Sequence, residues 1–273
     1  LNFKLTNDQN LSLLDINKDL KSKSKMFRLL QGDVGSGKTI VSLISALSVI
    51  DSEFQVALMA PTEILARQHY NLAKTLFPKN VSIELLSSKS KNIEKKKIIK
   101  ELKDNKIQMV FGTHAIFQKK IIFNNLGYII IDEQHKFGVR QRKLLSDKGG
   151  KNCDVLLMSA TPIPRTLTMS VYGDMDVSII KEKPSNRKEV KTYSKLESKI
   201  DDVIKFVKKE ISEGNQIFWV CPLIEESKKI DHQSSVNKYE FLNKLFPNKV
   251  ALLHGKIEND EKEQILGKFL NKE

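Results

Sequence analysis

Short apolar runs alternate with amphipathic stretches along most of the chain. Strands are expected at Met26–Gln31, Gln55–Ala60, Val81–Leu86, Ile107–Gly112, Gly127–Asp132, Asp154–Ser159 and Val177–Ile180. Helices are expected between them, at Thr39–Leu47, Glu63–Leu76, Ile93–Asn105 and Val139–Ser146. β-rich runs separated by helical patterns predict an α/β fold with a parallel sheet covered on both faces. Ligands of such sheets collect at the carboxyl ends of the strands. The stretch Lys181 to Lys188 is polar, carries Pro184 and breaks the periodicity. It marks residues 183–189 as a linker between a first domain, 1–182, and a second unit, 190–273. In the second unit the pattern predicts strands at Val190–Tyr193, Gln216–Cys221 and Val250–His254. It predicts helices at Leu196–Ser212, Glu240–Phe246 and Asp260–Asn271.

Composition narrows the class. A hydrophobic share of 40% supports real cores, and 29% charged residues argue for a soluble protein. No apolar run reaches transmembrane length and no signal peptide opens the chain. Cys153 and Cys221 give neither a disulfide framework nor a metal spacing, and read as core thiols of a cytoplasmic protein. The termini, Leu1 and Glu273, read as cuts in a longer chain. The formal charge of +13 fits an acidic partner such as DNA, or a lysine-rich coding bias. The lysine-rich stretch 89–106 has an apolar face at Ile93, Ile98, Ile99 and Leu102, so its basic face is either solvated or a DNA contact. Arginine is scarce, and Arg67, Arg140, Arg142 and Arg165 fall in segments with other chemical signals, where a planar forked donor is useful.

The strongest of those signals is Gly32-Asp33-Val34-Gly35-Ser36-Gly37-Lys38-Thr39. It fits the phosphate-wrapping pattern G-x-x-x-x-G-K-[ST]. Glycines let the backbone aim N–H groups at an anion. Lys38 would reach the β- and γ-phosphates, and Thr39 would ligate Mg²⁺. Strand, loop and helix in that order put the phosphates at a helix N-terminus. The second signal is Ile129-Ile130-Ile131-Asp132-Glu133-Gln134-His135, an apolar strand ending in two carboxylates. Together with the phosphate loop this is the Mg²⁺-plus-base arrangement expected of a nucleotide hydrolase, in which Asp132 would hold Mg²⁺ and Glu133 would activate water.

With these two signals on the page, the chain resembles the superfamily 2 helicases and translocases. Phe3-Lys4-Leu5-Thr6-Asn7-Asp8-Gln9 looks like the adenine-reading Q motif, with Gln9 addressing the base and Phe3 and Thr6 beside it; Thr6 could equally cap the following helix. Ala60-Pro61-Thr62 through Arg67 to His69 resembles motif Ia, in which Pro61, Thr62 and Arg67 would meet a DNA phosphate. Gly112-Thr113-His114 resembles motif Ib, with a similar role. Ser159-Ala160-Thr161 resembles motif III, which links the ATP site to DNA movement, and its hydroxyls could bond His135.

The fuller segments are similar to the RecG-type helicases. They are Asp132 to Arg142, Ser159-Ala160-Thr161-Pro162-Ile163-Pro164-Arg165-Thr166-Leu167, Tyr172 to Ser178 and Phe218 to Glu226. That resemblance implies a P-loop NTPase with a RecA-like first lobe and a truncated second RecA-like lobe. It implies an ATP- and Mg²⁺-dependent motor on branched double-stranded DNA, acting in recombination and repair, and a monomer. Gln134, His135, Ser159, Ala160, Thr161 and Arg165 would couple the two activities. Motifs V and VI should follow His254-Gly255; without them the chain by itself is expected to bind Mg·ATP but hydrolyse it poorly. Other readings are a transcription-repair coupling translocase, which usually carries Glu where this chain has Gln134, and a nucleotide-gated DNA-binding module with no motor output.

Overall fold

The computed structural model describes residues 3–87, 92–118, 120–133, 153–161, 175–182, 190–221 and 228–272. Contacts divide the chain into two units, Leu1–Lys188 and Glu189–Glu273. The expected helix Val139–Ser146 and linker 183–189 lie outside the described residues, as do Gln134, His135 and Arg165.

The first unit is built on seven strands: β1 (Phe27–Gly32), β2 (Gln55–Met59), β3 (Ile83–Leu86), β4 (Met109–Gly112), β5 (Leu126–Ile131), β6 (Asp154–Ser159) and β7 (Asp176–Ile180). Their order across the sheet is β3-β4-β2-β5-β6-β1-β7, and every pair is parallel. Each parallel return needs a crossover. Helices α2 (Lys38–Ile50), α3 (Glu63–Leu76) and α4 (Asn92–Lys103) supply those from β1 through β4, and α1 (Asn7–Leu20) precedes β1.

Strand alternation sorts the apolar residues into two cores. Leu30, Leu58, Phe111, Ile130 and Leu156 face one way, onto α1, α2 and α3. Leu29, Met59, Val110, Ile129 and Leu157 face the other way and pack with Ile98 and Leu102 of α4. Nearly continuous apolar strands therefore reflect cover on both faces, as the sequence pattern predicts. The observed boundaries differ from the expected ones by a residue or two at most ends. β3 starts at Ile83 rather than Val81, and α2 runs to Ile50 rather than Leu47.

Helix α1 is fixed from two directions. Arg28 on β1 is buried; its charge is matched by Asp19 at 2.7 Å, and it donates to the Ser178 hydroxyl at 2.8 Å. A buried guanidinium is tolerated only with such partners. At the other end of α1, the Asp8 carboxylate accepts the N–H groups of Lys181 (2.8 Å) and Glu182 (2.9 Å), just beyond β7. These two ties hold the start of α1 beside the carboxyl edge of the sheet.

The second unit contains α5 (Ile200–Ser212), α6 (Lys228–Leu245) and α7 (Asn259–Leu270), with a 3₁₀ turn over Glu197–Lys199. Val207, Leu242 and Phe246 form its small core, with Ile217, Trp219 and Val250 partly buried against it. The three strands expected at 190–193, 216–221 and 250–254 are a correction: among the described residues none enters a ladder. Ile217 and Trp219 are covered, but the intervening Phe218 and Val220 are 71% and 82% exposed. A parallel strand needs paired neighbours and cover on both faces; the runs 216–221 and 250–254 have cover on one, and 190–193 is exposed throughout. The helix expected over Glu240–Phe246 is also longer, beginning at Lys228. Its first half is polar and offers no apolar period to read.

None of the described helices is long and apolar enough to cross a membrane. Among the described residues both cysteines are free thiols. They differ sharply in setting. Cys153 is 1% exposed, and burial pushes its thiol up to about 12, a rise that the nearby Lys25 offsets only in part. Cys221 is half-buried. The thiolate is the reactive form, so Cys153 should resist modification. In the folded protein at pH 8, a disulfide reagent such as dithionitrobenzoate should modify Cys221 readily and Cys153 only after unfolding. Rapid modification that survives Cys221→Ser would contradict this assignment.

Candidate nucleotide-binding site

The loop leaving β1 turns directly into α2. Gly35 and Gly37 sit at φ 77° and 92°, left-handed angles that other residues reach only with strain. A Cβ on Gly37 would also lie 2.3 Å from the Gln9 side-chain nitrogen. Gly37 is the N-cap of α2 and supplies no side-chain cap. The first N–H groups of a helix have no intrahelical partner, so this end faces the loop with donors and a positive dipole. Within the loop the Asp33 carboxylate accepts the Val34 N–H at 2.8 Å, and the Asp33 carbonyl accepts the Ser36 N–H at 3.0 Å. Val34 points outward and is 64% exposed. The Ser36 hydroxyl is buried and, among the described residues, has no hydrogen-bond partner. An unsatisfied buried hydroxyl inside an anion-shaped loop fits a bound phosphate.

Lys38 is buried at the mouth of that loop. Its Nζ donates to the carbonyls of Gly32 at 2.6 Å and Asp33 at 3.1 Å. Burial lowers its affinity for a proton, while the charges of Asp132, Glu133 and Asp33 work to keep it protonated. The ammonium therefore lies within electrostatic reach of both carboxylates at the end of β5. Thr39 follows it, half-buried in the first turn of α2.

Asp132 and Glu133 leave the carboxyl end of β5. The Asp132 N–H donates to the Met59 carbonyl at 2.8 Å, extending the β2–β5 contact past the strand. Asp132 is 8% exposed. Its Oδ2 lies 2.7 Å from Nε2 of His69, itself a buried residue of α3. Glu133 takes φ 51°, an uncommon angle for a side chain of this size. Among the described residues no group of three or more His, Cys, Asp or Glu could hold a metal ion. The Asp132 carboxylate and the Thr39 hydroxyl are oxygen donors of the kind Mg²⁺ takes beside phosphate and water.

Gln9 reaches the site from α1 and is buried. Its Oε1 accepts the Thr6 N–H at 3.0 Å, and the Thr6 hydroxyl accepts the Gln9 N–H, closing a capping box. Its Nε2 donates to the Ser36 carbonyl at 2.7 Å. Thr6 is thus a helix cap, and Gln9 braces the phosphate loop. One N–H of its amide remains for another acceptor. Phe3 is 48% exposed before α1.

The other expected residues also gather at this edge of the sheet. Ser159 ends β6, and its hydroxyl lies 3.0 Å from the Thr161 hydroxyl across Ala160. Gln31 of β1 donates from Nε2 to the Thr161 carbonyl at 3.3 Å, tying this segment to the strand before the phosphate loop. Pro61 and Thr62 follow β2, and the Thr62 hydroxyl caps α3 by accepting the Leu65 N–H at 3.3 Å. Arg67 lies one turn on, 3.8 Å from Glu63. Gly112 closes β4, and its carbonyl accepts the Ala60 N–H at 2.9 Å, which brings the two segments together. Thr113 caps a 3₁₀ turn over His114–Phe117, and His114 Nδ1 is shielded with no partner among the described residues.

Sequence reasoning assigned no role to His69. The signal was available: Ala66, His69 and Ala73 are the buried positions of α3, and a histidine there needs a polar partner.

Two curated relatives align with nearly the whole chain. The ATP-dependent DNA helicase RecG of Aquifex aeolicus is 49% identical over 98% of this chain and 34% of its own length. The Bacillus subtilis RecG helicase is 47% identical over 98% of this chain and 40% of its own length. The solved structure of RecG bound to a three-way DNA junction matches with a TM-score of 0.80 and 41% identity, over 99% of this chain and 35% of that one. The chain thus spans between a third and two fifths of the curated relatives it matches. The DEAD/DEAH box helicase model matches residues 9–170, which takes in Gln9, the phosphate loop, Asp132-Glu133 and Ser159-Ala160-Thr161. The chain belongs to the DEAD/DEAH box helicase family.

Proposed function

We propose that this chain carries the ATP-hydrolysing part of a RecG-type helicase that remodels branched double-stranded DNA. The observation that carries the reading is that the phosphate loop with its buried Lys38 and the Asp132-Glu133 pair leave the same carboxyl edge of one parallel sheet. The high identity to RecG helicases supports the choice of DNA as the track. The resemblance to a RecG structure on a three-way junction supports a branched one.

In this reading the loop N–H groups and the Ser36 hydroxyl bind the phosphates, and Lys38 neutralises their charge. Asp33 and Val34 shape the loop, while Gln9, Thr6 and Phe3 form the side that takes the base. Thr39 and Asp132 would hold Mg²⁺, which when bound neutralises charge on the β- and γ-phosphate oxygens. Glu133 accepts the proton of the attacking water. Pro61, Thr62, Arg67, Gly112, Thr113 and His114 lie at the ends of β2 and β4 and serve DNA phosphates. Ser159, Ala160 and Thr161 join the two regions, with Gln134, His135 and Arg165 assigned to the same coupling. The protein acts as a cytoplasmic monomer.

Glu133→Gln in the full-length protein should keep binding of a fluorescent ATP analogue within twofold. Its DNA-stimulated phosphate release should fall by about 10²-fold or more, the usual worth of a positioned general base. Release at the wild-type rate would remove Glu133 from that role. Arg67→Ala should weaken binding to a three-way junction. The slope of log affinity against log salt should become shallower by about one, the signature of one lost phosphate contact. An unchanged slope would remove Arg67 from phosphate binding.

A further inference from the structure

Helix α3 and the strand before it hold Asp132 at two points. The Met59 carbonyl, at the end of β2, accepts the Asp132 N–H at 2.8 Å. Ten residues further on, His69 meets the carboxylate at 2.7 Å. Both side chains are buried, at 9% exposure for His69 and 11% for Asp132. An ionised carboxylate can only accept, so the Nε2 of His69 carries the hydrogen. Among the described residues His69 is the one side chain that hydrogen-bonds this carboxylate. The bond engages Oδ2 and restrains the group's rotation, leaving Oδ1 for another partner.

The same helix opens at Thr62, beside the carboxyl ends of β2 and β4. Thr62 and His69 are seven residues apart, close to two helical turns, so they lie along one side of α3. A rigid helix over that distance moves as a body. Any shift of its first turn is therefore carried to the hydrogen bond on Asp132.

We propose that His69 is a positioning residue for the Asp132 carboxylate, and that it is the contact through which α3 acts on the metal-binding edge of the nucleotide site. The proposal rests on the reading of Asp132 as a Mg²⁺-holding carboxylate. Groups that orient a metal's carboxylate ligand commonly set its affinity by 10- to 100-fold when removed. Coupling between sites is reciprocal, so a contact that lets α3 affect metal binding also lets metal binding affect what α3 holds.

The test measures binding of a fluorescent ADP analogue to the full-length protein, first in EDTA and then across a Mg²⁺ titration. His69→Ala should leave affinity in EDTA within twofold and raise the Mg²⁺ midpoint by about tenfold. His69→Gln, which offers an amide N–H near the same place, should recover most of that loss. With a three-way DNA junction present, the wild-type Mg²⁺ midpoint should shift, and His69→Ala should remove most of the shift. If His69→Ala does not fold, His69→Leu fills the space without a donor and takes its place beside His69→Gln. A variant that lowers the melting temperature equally in EDTA and Mg²⁺, with the midpoint unmoved, would overturn the proposal and leave His69 as packing. Asp132→Asn is the reference. If it too leaves the Mg²⁺ response intact, the metal-holding reading of Asp132 has failed, and the proposal with it. If it alone abolishes the response, that reading stands and only the role of His69 is lost.

Discussion

Parallel pairing is the constraint on which the first unit depends. Each of the seven strands runs the same way, so each must return by a crossover, and all their carboxyl ends emerge along one edge. The crossovers bury both faces, leaving that edge as the place where backbone groups end without ladder partners. Loops there must find other ways to satisfy N–H and C=O groups. The phosphate loop does so with the Asp33 side chain and the Lys38 ammonium. The chain past β5 does so with the Met59 carbonyl. Residues far apart in sequence thus meet because the sheet gives their strands a common terminus.

Burial at this edge is uneven, and the unevenness sets the chemistry. Lys38 loses water but gains two loop carbonyls, and three carboxylates favour its charge. Two of the three N–H groups of the ammonium are engaged by carbonyls, and the third remains for a further acceptor. The Ser36 hydroxyl has a similar deficit. By contrast, Asp132 is already satisfied on one oxygen by His69. The loop side therefore keeps spare hydrogen-bond donors, and the strand side is oriented. Gln9 joins the two halves of the N-terminal arrangement, since one amide serves both the cap of α1 and the carbonyl of Ser36.

The sheet was readable because buried parallel strands are apolar throughout, and every run expected in the first unit corresponds to an observed strand. The loop and the Asp132-Glu133 pair were readable because their function demands particular residues at fixed spacing. The pairing of His69 with Asp132 spans 63 positions, and no local pattern encodes it. It depends on where α3 crosses the sheet. The second unit misled for a different reason. Its runs at 216–221 and 250–254 have strand composition, but composition does not provide neighbours, and their alternate residues remain uncovered. The polar first half of α6 shows the converse, a helix without the apolar stripe that would announce it.

The left-handed backbone at Glu133 has a geometric consequence. In an extended strand, successive side chains point to opposite faces. Two adjacent carboxylates on β5 would then serve two different compartments, one on each side of the sheet. Departure from the extended form at Glu133 lets neighbours in sequence act on a single ammonium, that of Lys38. The bend carries a conformational penalty of about 1–3 kcal/mol, which glycine would relieve. A glycine would also delete the carboxylate. At this position, stability and chemistry select for different residues, and the chain keeps the less comfortable one.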